Sequence, residues 1–188
     1  MNGVAGDPIP SNCELIEVRV GAVPNLFNAM DPSPFREKDL DPNAEEFFVS
    51  WARTAPREAS LALLVHVDRP GDLPQQAGEL RAAIHEFFRY RAESSRRRLS
   101  QLLRTGRISL IIGALFLSAM ILVGDLAAAT LSGQRLGEIL RESFLIGGWV
   151  AMWRPLEIFL YDWWPIRAEA RLFDRLSAMP VQITGGVS

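Results

Sequence analysis

Two ionisable residues lie inside an apolar stretch in the last third of the chain. Residues 144–161 read FLIGGWVAMWRPLEIFLY, and Arg154 and Glu157 are the charged residues within them. A charge at membrane depth costs about 2.5–3.5 kcal/mol on insertion scales, so such residues usually face protein or water. A spacing of three places both on one helix face. Pro155 between them lacks a backbone donor and can free a nearby carbonyl.

Two kinds of chemistry fit this intramembrane charged site, which comprises Arg154, Pro155 and Glu157. One is a conducting or gating position lined by Glu157. The other is an Arg–Glu pair that locks one helix to another, or an arginine that extends to the cytoplasmic headgroups. The sequence favours the second, structural interpretation.

Small residues recur in the apolar stretches. Ser143, Gly147 and Ala151 are spaced by four, Gly148 adjoins them, and Gly113 offers a similar position earlier in the chain. Small side chains let the backbones of membrane helices approach closely. We therefore predict helix packing at these positions, within a hairpin in the first place and between copies of the chain in the second.

The remaining inventory disfavours catalytic and metal chemistry. Cys13 is the single cysteine, so an internal disulfide and a cysteine metal site are excluded. A zinc site would need carboxylates to complete His66 and His85. The carboxylate-rich segment 31–42 lacks the glycine turn of a calcium loop, and no glycine-rich phosphate loop is present. We predict no catalytic residue, no metal site and no cofactor, and hence a chain that is not an enzyme.

Two apolar helices must position these residues. Residues 108–124 contain no charge over seventeen positions, and a helix needs about 20 residues to cross a bilayer core. The pattern predicts a first transmembrane helix at 108–131, a short external turn at 132–140 and a second transmembrane helix at 141–163.

Arginines are concentrated immediately before the first span. Residues 89–107 hold seven arginines and one acid, whereas residues 1–80 hold thirteen acids and six bases. Because cytoplasmic flanks are rich in arginine, we expect both termini in the cytoplasm. The position of the cluster beside the apolar run favours lipid over nucleic acid as its partner. The residues assigned to the membrane interface are Arg96, Arg97, Arg98, Arg104, Arg107, Trp163 and Trp164.

Two segments within residues 1–74 predict strands of a small cytoplasmic α/β domain. Residues 14–20 alternate between apolar and charged side chains, which indicates a half-buried strand. Residues 61–67 are apolar at nearly every position, as in a strand covered on both faces. The connection between them is long enough for a right-handed crossover, which predicts a β-α-β unit with parallel strands.

The helix of this unit is expected to begin at Asp41 and Pro42, because aspartate caps a helix and proline suits its first turn. It should end before Pro56. It is expected to turn three aromatic side chains inward, those of Phe47, Phe48 and Trp51.

A second helix is expected to run from about residue 75 into the first span, because only Gly106 could weaken it. Residues 75–107 would then form a basic stem helix. Residues 164–188 are expected to form a cytoplasmic helix and a C-terminal tail, within which 180–184 fits a short strand. The predicted fold class is an α+β membrane protein in which a small cytoplasmic β-α-β domain and a long stem helix precede a two-helix transmembrane hairpin.

Three short segments carry a resemblance to known proteins. The sequences LFN at 26–28, DPSPF at 31–35 and DLDPNAEE at 39–46 resemble a family of uncharacterised bacterial two-helix inner-membrane proteins. The resemblance implies a location in the bacterial inner membrane and implies no activity.

These features together predict an integral inner-membrane protein with the lipid bilayer as its first partner. We expect a non-enzymatic assembly or scaffold module whose hairpin packs with itself or within a larger membrane complex. The alternative is a homo-oligomeric ion channel or transporter with Glu157 and Arg154 near the pathway.

Overall fold

The computed structural model describes residues 3–28, 38–56, 58–69, 72–130 and 135–185. The chain divides into two compact units: the first draws on Met1–Ser94 and Ala168–Ser188, and the second is Ser95–Arg167. The carboxylate-rich segment 31–42 and the predicted external turn at 132–140 lie partly outside the described residues.

The first unit contains a four-stranded sheet. Its strands are β1 (Val4–Gly6), β2 (Cys13–Val20), β3 (Ser60–Val67) and β4 (Val181–Gly185). Their order is β1-β4-β3-β2, with β3 parallel to both β2 and β4 and with β1 antiparallel to β4. The mixed α+β class, the parallel pair β2–β3 and the strand near the C-terminus are confirmed. Strand β1 was not predicted, because three residues carry too little pattern.

The described residues also form four α-helices: α1 (Pro42–Thr54), α2 (Leu73–Thr130), α3 (Arg135–Glu157) and α4 (Trp163–Ser177). A 3-10 helix, Val23–Leu26, follows β2, and a π-helical turn, Ile158–Asp162, joins α3 to α4. The predicted continuous helix is confirmed, since α2 extends over 58 residues. The predicted second span continues directly into the helix after it, because residues 135–177 are helical throughout.

Helix α1 begins as predicted but presents a different face to the core. The Asp41 carboxylate accepts a hydrogen bond from the Asn43 backbone at 2.9 Å. Phe48 is fully buried, whereas Phe47 and Trp51 keep 40% and 43% of their surface exposed. The prediction that all three aromatics turn inward is wrong for two of them, because a helix on one side of a sheet buries only one narrow stripe.

The core of the first unit lies on one face of the sheet. Ile16, Leu63 and Val65 are fully buried in it, and the register places Ile16 beside Leu63 on adjacent strands. On the opposite face of β3, Leu64 and His66 are only partly buried. Strand β3 is therefore not covered completely on both faces, although its apolar sequence suggested that it would be.

Strand β4 lies inside the sheet although helices α2, α3 and α4 separate it from β3 in the sequence. Leu63 pairs with Val181, and the Leu63 amide donates to the Pro180 carbonyl at 2.8 Å. His85 of α2 bonds the Met179 carbonyl at 2.8 Å. The short strand expected within the C-terminal tail is thus an internal strand of the sheet.

The edge strand β1 is held against β4 by a glycine and an aspartate. Gly6 has a φ of +111°, and a Cβ there would overlap the Val181 carbonyl oxygen, so only glycine fits. The Asp7 amide donates to the same carbonyl at 3.0 Å. The Asp7 carboxylate accepts a hydrogen bond from Arg81 of α2 at 2.7 Å.

The aromatic centre of this core can be tested by a matched pair of substitutions. The Phe88 ring is fully buried and lies 5.3 Å from the Phe87 ring, 6.1 Å from that of Phe173 and 6.5 Å from that of Phe48. Phe88→Ala should lower the free energy of unfolding by about 3–5 kcal/mol, because it leaves a cavity. Phe47→Ala should lower it by less than about 1 kcal/mol, because that ring is half exposed.

Denaturant unfolding of both full-length variants in detergent, followed by circular dichroism, measures the difference. Equal losses for the two variants would contradict the placement of Phe88 at the centre of the core.

Candidate functional site

Helices α2 and α3 contact each other in the second unit through glycines. A Cβ built on Gly124 would lie 3.4 Å from the Cα of Arg141, near the start of α3. One built on Gly106 would lie 2.8 Å from Ile158, just beyond the end of α3. The contacting residues of α2 have decreasing residue numbers as those of α3 increase, so the two helices pack antiparallel.

Gly148 is the tightest point of this contact within α3. A Cβ there would lie 2.6 Å from Leu117 Cδ1 and 3.3 Å from both Leu117 Cα and Met120 Cβ. The absence of a side chain at Gly148 therefore allows Leu117 to lie directly against the α3 backbone.

Gly113 of α2 makes a second close approach, to the carbonyl of Ala151. A Cβ on Gly113 would lie 3.2 Å from that oxygen and 3.1 Å from Met152 Sδ. In a regular helix the Ala151 carbonyl would accept from the amide of residue 155, but Pro155 has no amide hydrogen. Pro155 thus removes the usual donor to the Ala151 carbonyl, which faces Gly113 of α2.

The predicted packing residues divide into two groups. Gly113, Gly148 and Ala151 lie in the α2–α3 contact. Ser143 and Gly147 are exposed, and a Cβ on Gly147 would meet nothing within 4 Å. The division follows from helix geometry. Residues four positions apart are rotated by about 40° around the helix axis, because a turn contains 3.6 residues, so a row with this spacing does not stay on one face.

The residues predicted as an intramembrane charged site form an ion cluster within one chain. Arg154 donates to Glu157 at 2.9 Å and lies 3.5 Å from the Asp162 carboxylate. The side chains of Arg154, Glu157 and Asp162 keep 64%, 43% and 32% of their surface exposed. Pro155 between them is buried. The sequence indicated the first two partners but not Asp162, which lies eight residues away across the π-helical turn.

A separate ion pair joins α2 to α3 at the far end of their contact. Arg141 of α3 donates to Asp125 of α2 at 2.8 Å. Sequence reasoning missed this pair, although one signal was present: Asp125 is the first charge after the uncharged run 108–124.

The predicted interface residues lie on α2 and at the start of α4, and all of them except Trp163, which is half-buried, are exposed. All five arginines from Arg96 to Arg107 have exposed side chains. The Trp163 indole donates to the Phe159 carbonyl at 2.8 Å and lies under the Arg167 guanidinium at 5.7 Å. Trp164 is 58% exposed. Nearer the start of α2, the hydrogen bond and charge of Glu86 raise the pKa of Arg89, so that arginine is always charged.

The second unit exposes far more apolar surface than the first. Of the large apolar side chains that are exposed in the described part of the chain, twenty-one lie between residues 108 and 164 and four lie elsewhere. Soluble monomers rarely expose a continuous apolar patch of this kind, which marks a surface that contacts lipid or protein.

Among the described helices, α2 is the one that is long and apolar enough to cross a membrane. Helix α3 does not meet the same criterion, because every stretch of 18 residues within it contains at least three charged side chains. The predicted two-helix transmembrane hairpin is therefore not confirmed by length and composition.

The polar groups of the first unit are used in structural bonds. His66 Nδ1 and the Thr184 hydroxyl lie 2.8 Å apart across β3 and β4. Arg175 donates to the Pro56 and Ala59 carbonyls at 3.0 and 2.7 Å. No group of three or more His, Cys, Asp or Glu residues is placed to hold a metal ion within the described ranges.

Comparison of the chain with protein-family models, with curated proteins and with solved structures gives no match. The resemblance carried by the segments between residues 26 and 46 therefore finds no support, and function must be argued from this structure.

Two adjacent glycines test the helix contact. Gly148→Ala places a methyl group against Leu117, so it should destabilise the helix pair by about 1–3 kcal/mol, as overpacking does. Gly147→Ala enters open space and should be neutral or slightly stabilising, because alanine favours helix over glycine. Thermal melting of both variants in the same detergent measures this. Equal destabilisation, or a larger effect at Gly147, would contradict the packing of α2 on α3.

Proposed function

We propose that the chain is an integral membrane protein whose helices α2 and α3 form a transmembrane hairpin. The observation that carries this proposal is the pairing of β4 with β3. Five residues of β4, which follows the apolar segment, pair with five of β3, which precedes it. Because strands of one sheet lie on the same side of a membrane, any segment that crosses between them must cross an even number of times.

Helix α2 supplies the first crossing and α3, with the π-helical turn, the return. In α2 only 11% of the most apolar window is buried, unlike the core helix of a soluble protein. Three charged side chains of α3 are paired, Arg141 with Asp125 and Arg154 with Glu157. Pairing reduces the cost of placing them near or within the bilayer.

The orientation follows from the arginines. Arg96 to Arg107 precede the first crossing, and Arg167 follows the second. The connection between the crossings holds fewer basic residues, which favours a cytoplasmic location for both ends. We propose the bacterial inner membrane as the location, with the first unit and both termini in the cytoplasm.

Within this topology we propose a non-enzymatic assembly or scaffold module. The histidines and Arg175 are engaged in bonds that hold the sheet and its helices together. Packing of α2 against α3 leaves much of the apolar surface of the second unit exposed. This surface is available to lipid, to further copies of the chain or to a larger membrane complex. The exposed arginines adjoin this surface, which favours lipid headgroups over nucleic acid.

Labelling of single cysteines tests the topology. In a chain carrying Cys13→Ser, a cysteine introduced by Ser132→Cys should react with a membrane-impermeant maleimide in intact cells. The native Cys13 of the unmodified chain should react only after the membrane is opened, and so should a reporter at the C-terminus. A C-terminus on the opposite side from Cys13 would exclude an even number of crossings, and labelling at position 132 only after opening would reverse the orientation.

A second candidate function is a homo-oligomeric ion channel or transporter. The observation that favours it is the exposure of Arg154 and Glu157, which keep 64% and 43% of their side-chain surface open in the single chain. Ionisable groups in membrane segments often line water-filled pathways.

Ion flux into liposomes that contain the purified protein tests this candidate. A channel should conduct, and Glu157→Gln should abolish most of the flux, whereas Glu142→Gln at the exposed start of α3 should not. Absence of flux from the unmodified protein, or equal flux from both variants, would leave the assembly role.

A further inference from the structure

We infer that one face of α3 binds α3 of a second copy of this chain inserted in the same membrane. The inference rests on the proposed membrane insertion of the hairpin and names its partner and contact surface. The surface is a row of residues spaced alternately by three and four, as in a coiled-coil seam. We call it the outer seam, and it consists of Leu140, Ser143, Gly147, Val150, Arg154 and Glu157.

The outer seam is distinct from the residues that contact α2. Helix α2 meets Gly148 and the Ala151 carbonyl, whereas a Cβ on Gly147 would meet nothing. Val150 is 69% exposed and Leu140 37%. Within the described chain, the outer seam is therefore left open along most of α3.

The ion cluster requires this open row to be covered by something other than lipid. Arg154 and Glu157 lie 2.9 Å apart, and both remain substantially exposed after α2 has packed against α3. Charged side chains at membrane depth face protein or water rather than hydrocarbon. Water would solvate the charged residues of the outer seam but would not cover its apolar residues. A packed helix contacts both the charged and the apolar residues.

Gly147 supplies the point of closest approach. It lies two turns before Arg154 and therefore on the same face of the helix. Its empty surroundings leave room for the backbone of another helix, the role that glycine commonly has between membrane helices. The glycine and the ion cluster thus indicate the same face independently.

A second copy of the chain fits this face because it brings matching groups at equal depth. Two copies inserted in one orientation and related by a twofold axis place Gly147 opposite Gly147. Arg154 can then bond to Glu157 of the partner subunit while Asp162, at 3.5 Å, stays beside it in its own chain. An unrelated helix would need a small residue opposite Gly147 and, seven positions away, charges that complement the ion cluster.

A cysteine scan of the full-length chain tests the inference. The background carries Cys13→Ser, which keeps the hydrogen bond that the Cys13 thiol donates to the Pro10 carbonyl. Single cysteines from 143 to 157 are reconstituted in lipid vesicles and oxidised, and disulfide-linked dimers are measured. Yields should peak at 143 and 150, two positions of the outer seam at which a cysteine leaves both Gly147 and the ion cluster unchanged. Yields should be near background at Leu145, Trp149 and Leu156, which lie on the opposite side of α3.

A further variant separates loss of association from loss of folding. Gly147→Ile fills space that is empty within the chain, so it should not lower the melting temperature in detergent, and it should reduce cross-linking at 143 and 150 to background. Leu145→Ile is the matched control and should leave the cross-linking unchanged.

Two results would overturn the inference. One is a maximum of the cross-linking yield on the opposite face of α3, and the other is a background yield at every position. Topology labelling of the same samples separates these outcomes from failure of the proposed function. A chain that inserts with both ends on one side but does not cross-link lacks the dimer alone, whereas a chain that does not insert lacks the hairpin itself.

Discussion

The pairing of β4 with β3 is the interaction on which the other features depend. Two strands alone are marginally stable, and β4 supplies a second parallel neighbour for β3 and the only partner of β1 among the described strands. It joins residues on either side of the whole helical segment, and His85 and Arg175 reinforce the junction through carbonyl bonds. The sheet is complete only after β4 has been synthesised, so the apolar helices before it must form within a loop whose two ends meet.

Much of the first unit could be predicted because its signals are local. Alternation found β2, and Asp41 with Pro42 located the start of α1 to the residue. The place of β4 could not be predicted, because strand order depends on contacts between residues far apart in sequence. The direction of Phe47 and Trp51 was missed for a related reason. Apolar spacing identifies a helix, but the number of layers around it decides how wide a stripe is buried.

In the second unit, too, local sequence patterns predict some contacts and fail to predict those between distant residues. The Arg154–Glu157 pair follows from a spacing of three, whereas Asp125 and Arg141 meet only because two helices pack antiparallel. Gly147 and Gly148 are adjacent and look equivalent in the sequence. A rotation of about 100° between neighbouring residues places one against Leu117 and leaves the other open. Only the partner helix distinguishes them.

Two rows of small and polar residues on one helix give α3 more specificity than an anchor needs. An anchor would insert more readily with leucine at positions 154 and 157, because paired charges removed from water seldom add net stability. Their value lies in alignment, since a polar group within an apolar seam selects one register and one orientation of its partners. Asp125 with Arg141 fixes α3 on α2 near one end. The cluster around Arg154 is free to perform the same function for a second contact, because α2 leaves it exposed.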